Sequence, residues 1–314
     1  MRQSFQHLFS LACLLLFASA CSVLDAGSAG SADGQPTVTP LPTASFPGFR
    51  TVAPQACRIA EQRAIRIDAP QGDLLAWSPV ENALAYVAPT GSDTWMVGEL
   101  MWLAEPGFDT PERMAVHVFG DLEWSPDGRY LAYVSLRPGE GLYTAGVVIP
   151  PGIAAPVSVP RDLFPDEAAR SDDWDSQKAI VGWSSDTHVL VLTSCGLDCM
   201  QPITVSVVTG LANASAPTQP RHWDIWDIRN NQPSSLPAEF ASLAQQANES
   251  PDGLRVAYLD QGGGAWLADF AAQTQFPLDI GEFGTAYETA WSADSQYLAV
   301  RVDDRVFIFS FQCP

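Results

Sequence analysis

Leu122-Glu123-Trp124-Ser125-Pro126-Asp127-Gly128-Arg129-Tyr130-Leu131-Ala132-Tyr133 is the stretch from which the fold is read, because it recurs. Four further segments follow its pattern. They are Leu75-Ala76-Trp77-Ser78-Pro79 running on to Tyr86, Val181-Gly182-Trp183-Ser184-Ser185 to Leu192, Asn248-Glu249-Ser250-Pro251-Asp252-Gly253 to Tyr258, and Ala290-Trp291-Ser292-Ala293-Asp294-Ser295 to Val300. Ser-Pro-Asp-Gly suits a tight reversal: Pro presets φ at about −65°, Asp bonds the local backbone and Gly accepts positive φ. The flanks are apolar or β-branched, so each copy reads as a β-hairpin with Trp before the turn. Trp77, Trp124, Trp183 and Trp291 are expected to fill the gaps between neighbouring sheets rather than to line a ligand cage.

Further strand-like runs lie between the copies, among them Leu100 to Leu103, Met114 to Phe119, Ala145 to Ile149, Ile203 to Val208, His222 to Ile228 and Ala265 to Phe270. Each unit thus supplies four strands. Units of four strands, separated by 42 to 66 residues between Trp77, Trp124, Trp183, Glu249 and Trp291, predict an all-β fold, a β-propeller of four-stranded blades. Five copies imply five blades; six would require a degenerate blade between residues 195 and 245. The last unit is short of one strand, and Arg63-Ala64-Ile65-Arg66-Ile67 is expected to complete it from the N-terminal side and close the ring.

The pattern resembles the WD40-like repeat of TolB-type propellers, whose hallmark is Trp-Ser-Pro-Asp-Gly followed by a Leu-Ala-Tyr-like strand. The resemblance spans about residues 57 to 313. Val80-Glu81-Asn82 replaces Asp-Gly in the first copy, Ser185 and Ala293 replace Pro in the third and fifth, and Glu249 replaces Trp in the fourth.

The N-terminus carries address information. Arg2 is followed by the apolar stretch Leu8 to Phe17, too short to span a bilayer and of the length of a secretory signal. Ala18-Ser19-Ala20-Cys21 resembles a bacterial lipobox, with Ala18 where that motif usually has Leu; the resemblance implies lipidation of Cys21, with plain cleavage after Ala20 as the alternative. Residues 21–56 are Gly/Ser-rich and then Pro/Thr-rich, the composition of a tether. The expected organisation is a signal peptide over residues 1–20, a lipidated tether over 21–56 and a propeller over 57–314, anchored in the cell envelope and facing its extracytoplasmic side.

An exported chain with Cys57, Cys195, Cys199 and Cys313 left after processing reads as disulfide-bonded. Cys57 precedes the N-terminal strand and Cys313 follows the last one, so antiparallel pairing brings them together. Cys195 and Cys199 would staple a loop. Only His117, His188 and His222 remain outside the signal, none at metal-ligand spacing, and no cofactor is expected beyond a structural Ca²⁺.

A formal net charge of −20 repels nucleic acid. The chain contains no Gly-x-Ser-x-Gly, His-Glu-x-x-His or Gly-x-x-x-x-Gly-Lys motif, and its one lysine is Lys178. The longer insertions fall mostly on the face opposite the Ser-Pro-Asp-Gly turns. That face is the expected recognition surface, with Asp93, Trp95, Asp172, Asp173, Trp174 and Asp175 as candidate contacts. The expected function is non-catalytic: a monomeric module binding a protein or peptide partner, or an envelope scaffold. The rivals are a hydrolase or lyase acting on polysaccharide and a sugar- or Ca²⁺-dependent binding module.

Overall fold

The computed structural model describes residues 48–65, 73–90, 97–136, 143–153, 163, 178–196, 199–209, 212–213, 247–260, 262–281 and 285–312. The chain divides into two compact units, Met1–Pro40 and Leu41–Pro314. The first lies outside the described residues. The second is all-β, with no helix among its described residues. Ahead of the first repeat lie β1 (Arg50–Thr51) and β2 (Cys57–Arg63). The first two repeats form β3 (Leu75–Trp77), β4 (Ala83–Pro89), β5 (Gly98–Ala104), β6 (Glu112–Trp124), β7 (Leu131–Leu136) and β8 (Tyr143–Val148). The third forms β9 (Lys178–Ser185), β10 (His188–Gly196), β11 (Cys199–Ser206) and β12 (Ala212–Asn213), and the fourth β13 (Ala247–Glu249), β14 (Arg255–Leu259), β15 (Ala265–Asp269) and β16 (Thr274–Pro277). The fifth contributes β17 (Ala286–Trp291), β18 (Tyr297–Val302) and β19 (Arg305–Ser310). The strands expected at 156–159 and 222–228, and a short helix expected at 237–244, lie outside the described residues.

The turn chemistry read from the sequence holds the hairpins of the second, fourth and fifth copies. Ser125 N donates to Tyr130 O at 2.8 Å and Gly128 N to Ser125 O at 2.9 Å. The Ser125 hydroxyl donates to Asp127 Oδ1 at 2.8 Å and accepts from Tyr130 N at 3.0 Å, while Asp127 Oδ1 also accepts from Arg129 N. Ser250 with Asp252 and Ser292 with Asp294 repeat the arrangement. Gly128 and Gly253 sit at φ 70°, and Ser295, which stands in the glycine position of the fifth copy, at 60°. Burial pushes the Asp252 and Asp294 carboxyls up, but the hydroxyl and amide donors of their own turns outweigh it and hold both below the usual carboxylate range.

Sheet orders are β12-β11-β10-β9, β17-β18-β19-β2, β1-β16-β15-β14-β13 and β3-β4-β5-β6-β7-β8. Three findings correct the sequence reading. The N-terminal strand paired with β19 is Cys57–Arg63, not residues 63–67; Ile65 has already left it and donates its amide to Val87 O in the first repeat. Residues expected as tether up to position 56 include β1, which pairs in parallel with β16 as a fifth strand of the fourth repeat. The first two repeats are not separate four-stranded units, because Met114 to Phe119 and Leu122 to Trp124 run together in the 13-residue β6. The ladder shifts register around Gly120, where His117, Gly120 and Asp121 all take positive φ. Such a kink lets one strand leave the first repeat and enter the second.

Apolar side chains fill the spaces between repeats. Ala83, Ala85 and Val87 pack with Leu131 and Tyr133 of the second repeat, whereas Leu84 and Tyr86, on the other face of β4, pack with Ala299, Val306 and Ile308 of the fifth. A strand covered on both faces needs a continuous apolar run rather than alternation, and Ala83 to Val87 is one. Similar clusters join the second repeat to the third and the fourth to the fifth. The tryptophans cross the same seams: Trp124 Nε1 donates to Ala76 O at 3.2 Å, Trp183 Nε1 to Glu123 O at 3.1 Å and Trp291 Nε1 to Asn248 O at 2.9 Å. Each acceptor immediately precedes the motif tryptophan of the neighbouring repeat, or Glu249 in the fourth. Repeated sheets packed face to face in this way fit a β-propeller.

Candidate functional site

The surface chosen from the sequence falls beyond view: Asp93, Trp95, Asp172, Asp173, Trp174 and Asp175 all lie outside the described residues. Cys195 and Cys199 are at the hairpin end of β10 and β11, where Gly196 is the register partner of Cys199. The structure records Cys57 as disulfide-bonded, and it is the register partner of Ser310 at the start of β2; Cys313 lies outside the described residues.

The described residues build a cleft on the other face, the one carrying the Ser-Pro-Asp-Gly turns. It has a volume of about 460 Å³ and opens between the β5–β6 connection of the first repeat and Pro151 of the second. Glu105, Asp109 and Glu112 ring it, over Trp102 and Pro106. The connection is pinned from inside by Phe108, which is buried at φ 51°. Its ring meets Trp77 and Tyr297 edge-on, with centroids 5.7 and 5.1 Å away, while Trp77 and Tyr297 stack on each other. Gln62 Nε2 holds the Phe108 carbonyl at 3.0 Å.

Above this aromatic trio stands a polar cluster from the first and fifth repeats. The Tyr297 hydroxyl donates to Glu105, and Asn82 Nδ2 donates both to Glu105 Oε2 at 3.2 Å and to Asp294 Oδ2 at 2.9 Å. The hydrogen bond to the Glu105 carboxylate pushes the Tyr297 phenol up to about 12, with burial and the charges of Glu105 and Asp294 adding to it. The cleft lining thus combines three acidic side chains with Trp102, Ala104, Pro106 and Pro151. It is chemically suited to cationic and apolar side chains. Among the described residues no group of three His, Cys, Asp or Glu is placed to hold a metal ion.

A second polar feature lies deeper in the same seam. Glu288 Oε1 accepts from the amides of Leu74 and Leu75, both at 3.0 Å, and its Oε2 from Arg301 Nε at 3.2 Å. Burial, with Asp73 adding to it, pushes the Glu288 carboxyl up to about 7 against the opposing pull of Arg301 and the two amides. Asp121 holds the corresponding place three residues before Trp124, and its Oδ2 accepts from Ile180 N of the third repeat at 3.2 Å. Sequence reasoning missed both acids, although an alignment of the repeats places them in one column. It also passed over Glu105 to Glu112, where Glu105-Pro106-Gly107 marks an acidic turn beside a strand end.

No family model matches the chain, and no curated protein matches it. Among solved structures it is similar to TolB from Acinetobacter baumannii, at 14% identity and a TM-score of 0.30, over 75% of this chain and 53% of that one. It thus spans about half the length of that protein. It is also similar to a chain of a mitotic checkpoint complex, at 11% identity and a TM-score of 0.39, over 85% of this chain and 98% of that one. At that level of likeness the strand order and the bonds between repeats, not the resemblance, carry the reading of the fold.

Proposed function

We propose that this chain is a non-catalytic, lipid-anchored propeller of the cell envelope, facing its extracytoplasmic side and binding a protein or peptide partner as a monomer. The observation that supports binding is the anionic cleft at Glu105, Asp109 and Glu112, mounted on a seam closed by Trp77, Phe108 and Tyr297. A rigid support presenting an open, charged connection is how binding loops are commonly displayed. We further propose five blades around an axis, with Cys21 as the lipid acceptor, Cys57 paired with Cys313 and Cys195 with Cys199. The seam between the third and fourth repeats is where a sixth blade would enter, because Glu249 there has no indole to donate.

The test is photocrosslinking in native envelopes with a photoreactive residue in place of Thr110, on the cleft wall. A discrete adduct that disappears when Asp109 and Glu112 become Lys supports the reading. Labelling that ignores those two charges overturns it. Cys21→Ser with a metabolic acyl label separately tests the anchor.

A further inference from the structure

We propose that the outer edge of the fourth repeat is a strand-binding site for an extended peptide with an aromatic residue two positions before a threonine, occupied in this chain by its own Phe49-Arg50-Thr51-Val52. The resident segment defines the site. Arg50 N donates to Gln273 O at 3.0 Å and Val52 N to Gln275 O at 2.9 Å, the parallel ladder that an added strand makes on an open sheet edge. Phe49 lies edge-on to Phe270 with centroids 5.2 Å apart, and packs on the small cluster of Val256, Tyr258 and Ala268. On the same face Gln275 reads the third position: its Nε2 donates to Thr51 Oγ1 at 3.2 Å, while its Oε1 accepts from Tyr258 OH at 2.9 Å.

The resident does not satisfy the site completely. Thr274 is the register partner of Arg50 and 5% exposed, and among the described residues its Oγ1 is buried without a hydrogen-bond partner. Arg50 and Thr51 are themselves exposed. A short side chain that donates and accepts, such as Asn, in place of Arg50 would meet the Thr274 hydroxyl, so a peptide bearing it fits the edge better than the resident does. Two ladder bonds, the Gln275–Thr51 bond and the packing of Phe49 and Val52 hold the resident at the end of its sheet, where it can open locally while the other strands stay paired.

The test uses the full chain with its resident disabled by Phe49→Asp and Arg50→Pro; the first places a charge in the aromatic notch, the second removes a ladder donor. The probe is a synthetic peptide matching residues 46–54 with a benzophenone side chain at the Phe49 position, in one form with Arg at the second position and in another with Asn. The expected result is labelling at Phe270 or Trp266 in the disabled chain, about tenfold above the unaltered chain, with the Asn peptide labelling more strongly than the Arg peptide. Gln275→Ala, which leaves the resident sequence alone, should weaken exchange protection of the Arg50 and Val52 amides. Equal labelling of both chains, labelling elsewhere, or indifference to Asn against Arg overturns the proposal. So does dimerisation of the disabled chain with unaltered chain, which would make the edge a self-association site.

Discussion

The indole N–H of Trp77 donates to the carbonyl oxygen of Ala290 at 2.9 Å, across 213 residues of chain. This bond joins the first repeat to the last, and it has the same form as those made by Trp124, Trp183 and Trp291 between their own neighbours. One residue type at one place in the repeat thus does the same work at four seams. Its ring fills the seam and its one donor satisfies a backbone carbonyl of the neighbouring repeat.

Trp77→Phe tests that bond with the ring largely retained. It leaves the Ala290 carbonyl without its donor in a half-buried seam, so a loss of about 1 to 3 kcal/mol is expected in chemical denaturation. Trp183→Phe should cost a similar amount. Unchanged denaturation midpoints in both variants would show that the indole donors are incidental.

Gly128→Ala and Gly253→Ala separate backbone strain from crowding, since both residues sit at φ 70° in equivalent turns. A Cβ at Gly128 would stand 2.6 Å from Val80 Cγ2, whereas one at Gly253 meets only Glu249 Oε1, at 3.5 Å. Gly253→Ala should therefore cost about 1 to 2 kcal/mol, the left-handed penalty alone. Gly128→Ala should cost more, and Val80→Ala should recover the difference. Calorimetric or denaturant midpoints of the three variants decide it.

Glu288 makes stability depend on pH. Its carboxyl titrates at about 7 in the folded chain and near its ordinary value of 4.5 in the unfolded one, so the folded state binds the proton more tightly. The stabilisation is complete below pH 4.5 and is lost as pH rises through 7. Its size is roughly 3 kcal/mol, because each tenfold gain in proton affinity on folding is worth about 1.4 kcal/mol. Glu288→Gln should flatten this part of the stability profile between pH 5 and 8, whatever it does to absolute stability through Arg301. A slope unchanged in the variant would assign the dependence to other groups.

If Cys57 and Cys313 are partners, Cys57→Ala, Cys313→Ala and the double variant should be equally destabilised. The loss expected for closing so long a loop is about 5 kcal/mol in the chain-entropy model. Additive losses in non-reducing denaturation would rule the pairing out. So would a wild-type midpoint indifferent to reductant.

Local turn chemistry was legible in the sequence because Ser, Asp and Gly act on backbone within a few residues of themselves. Ser125, Asp127 and Gly128 make their bonds inside one hairpin, and their spelling alone predicts it. Seam filling by tryptophan was legible for a similar reason, since a large ring at a fixed place in every repeat has to pack against a neighbour. The start of the N-terminal strand was not legible: residues 57–63 and 63–67 both suit a strand, and only the β19 edge selects between them.

The cleft was hidden for a different reason. Glu105, Asp109 and Glu112 are ordinary surface acids one by one, and the connection that carries them is fixed by Phe108 packing against Trp77 and Tyr297, the latter 189 residues later in the chain. Glu288 likewise meets Leu74 and Leu75 across more than 200 residues.

Turn type and the role of the tryptophans were determined by the sequence itself, since each repeats at a fixed place in the motif. Tertiary structure alone decided where β2 begins, that β1 joins the fourth repeat, that β6 serves two repeats, and which acids share a rim. Those outcomes depend on competition between distant edges and faces for the same segment, and a linear pattern does not record which competitor is nearer.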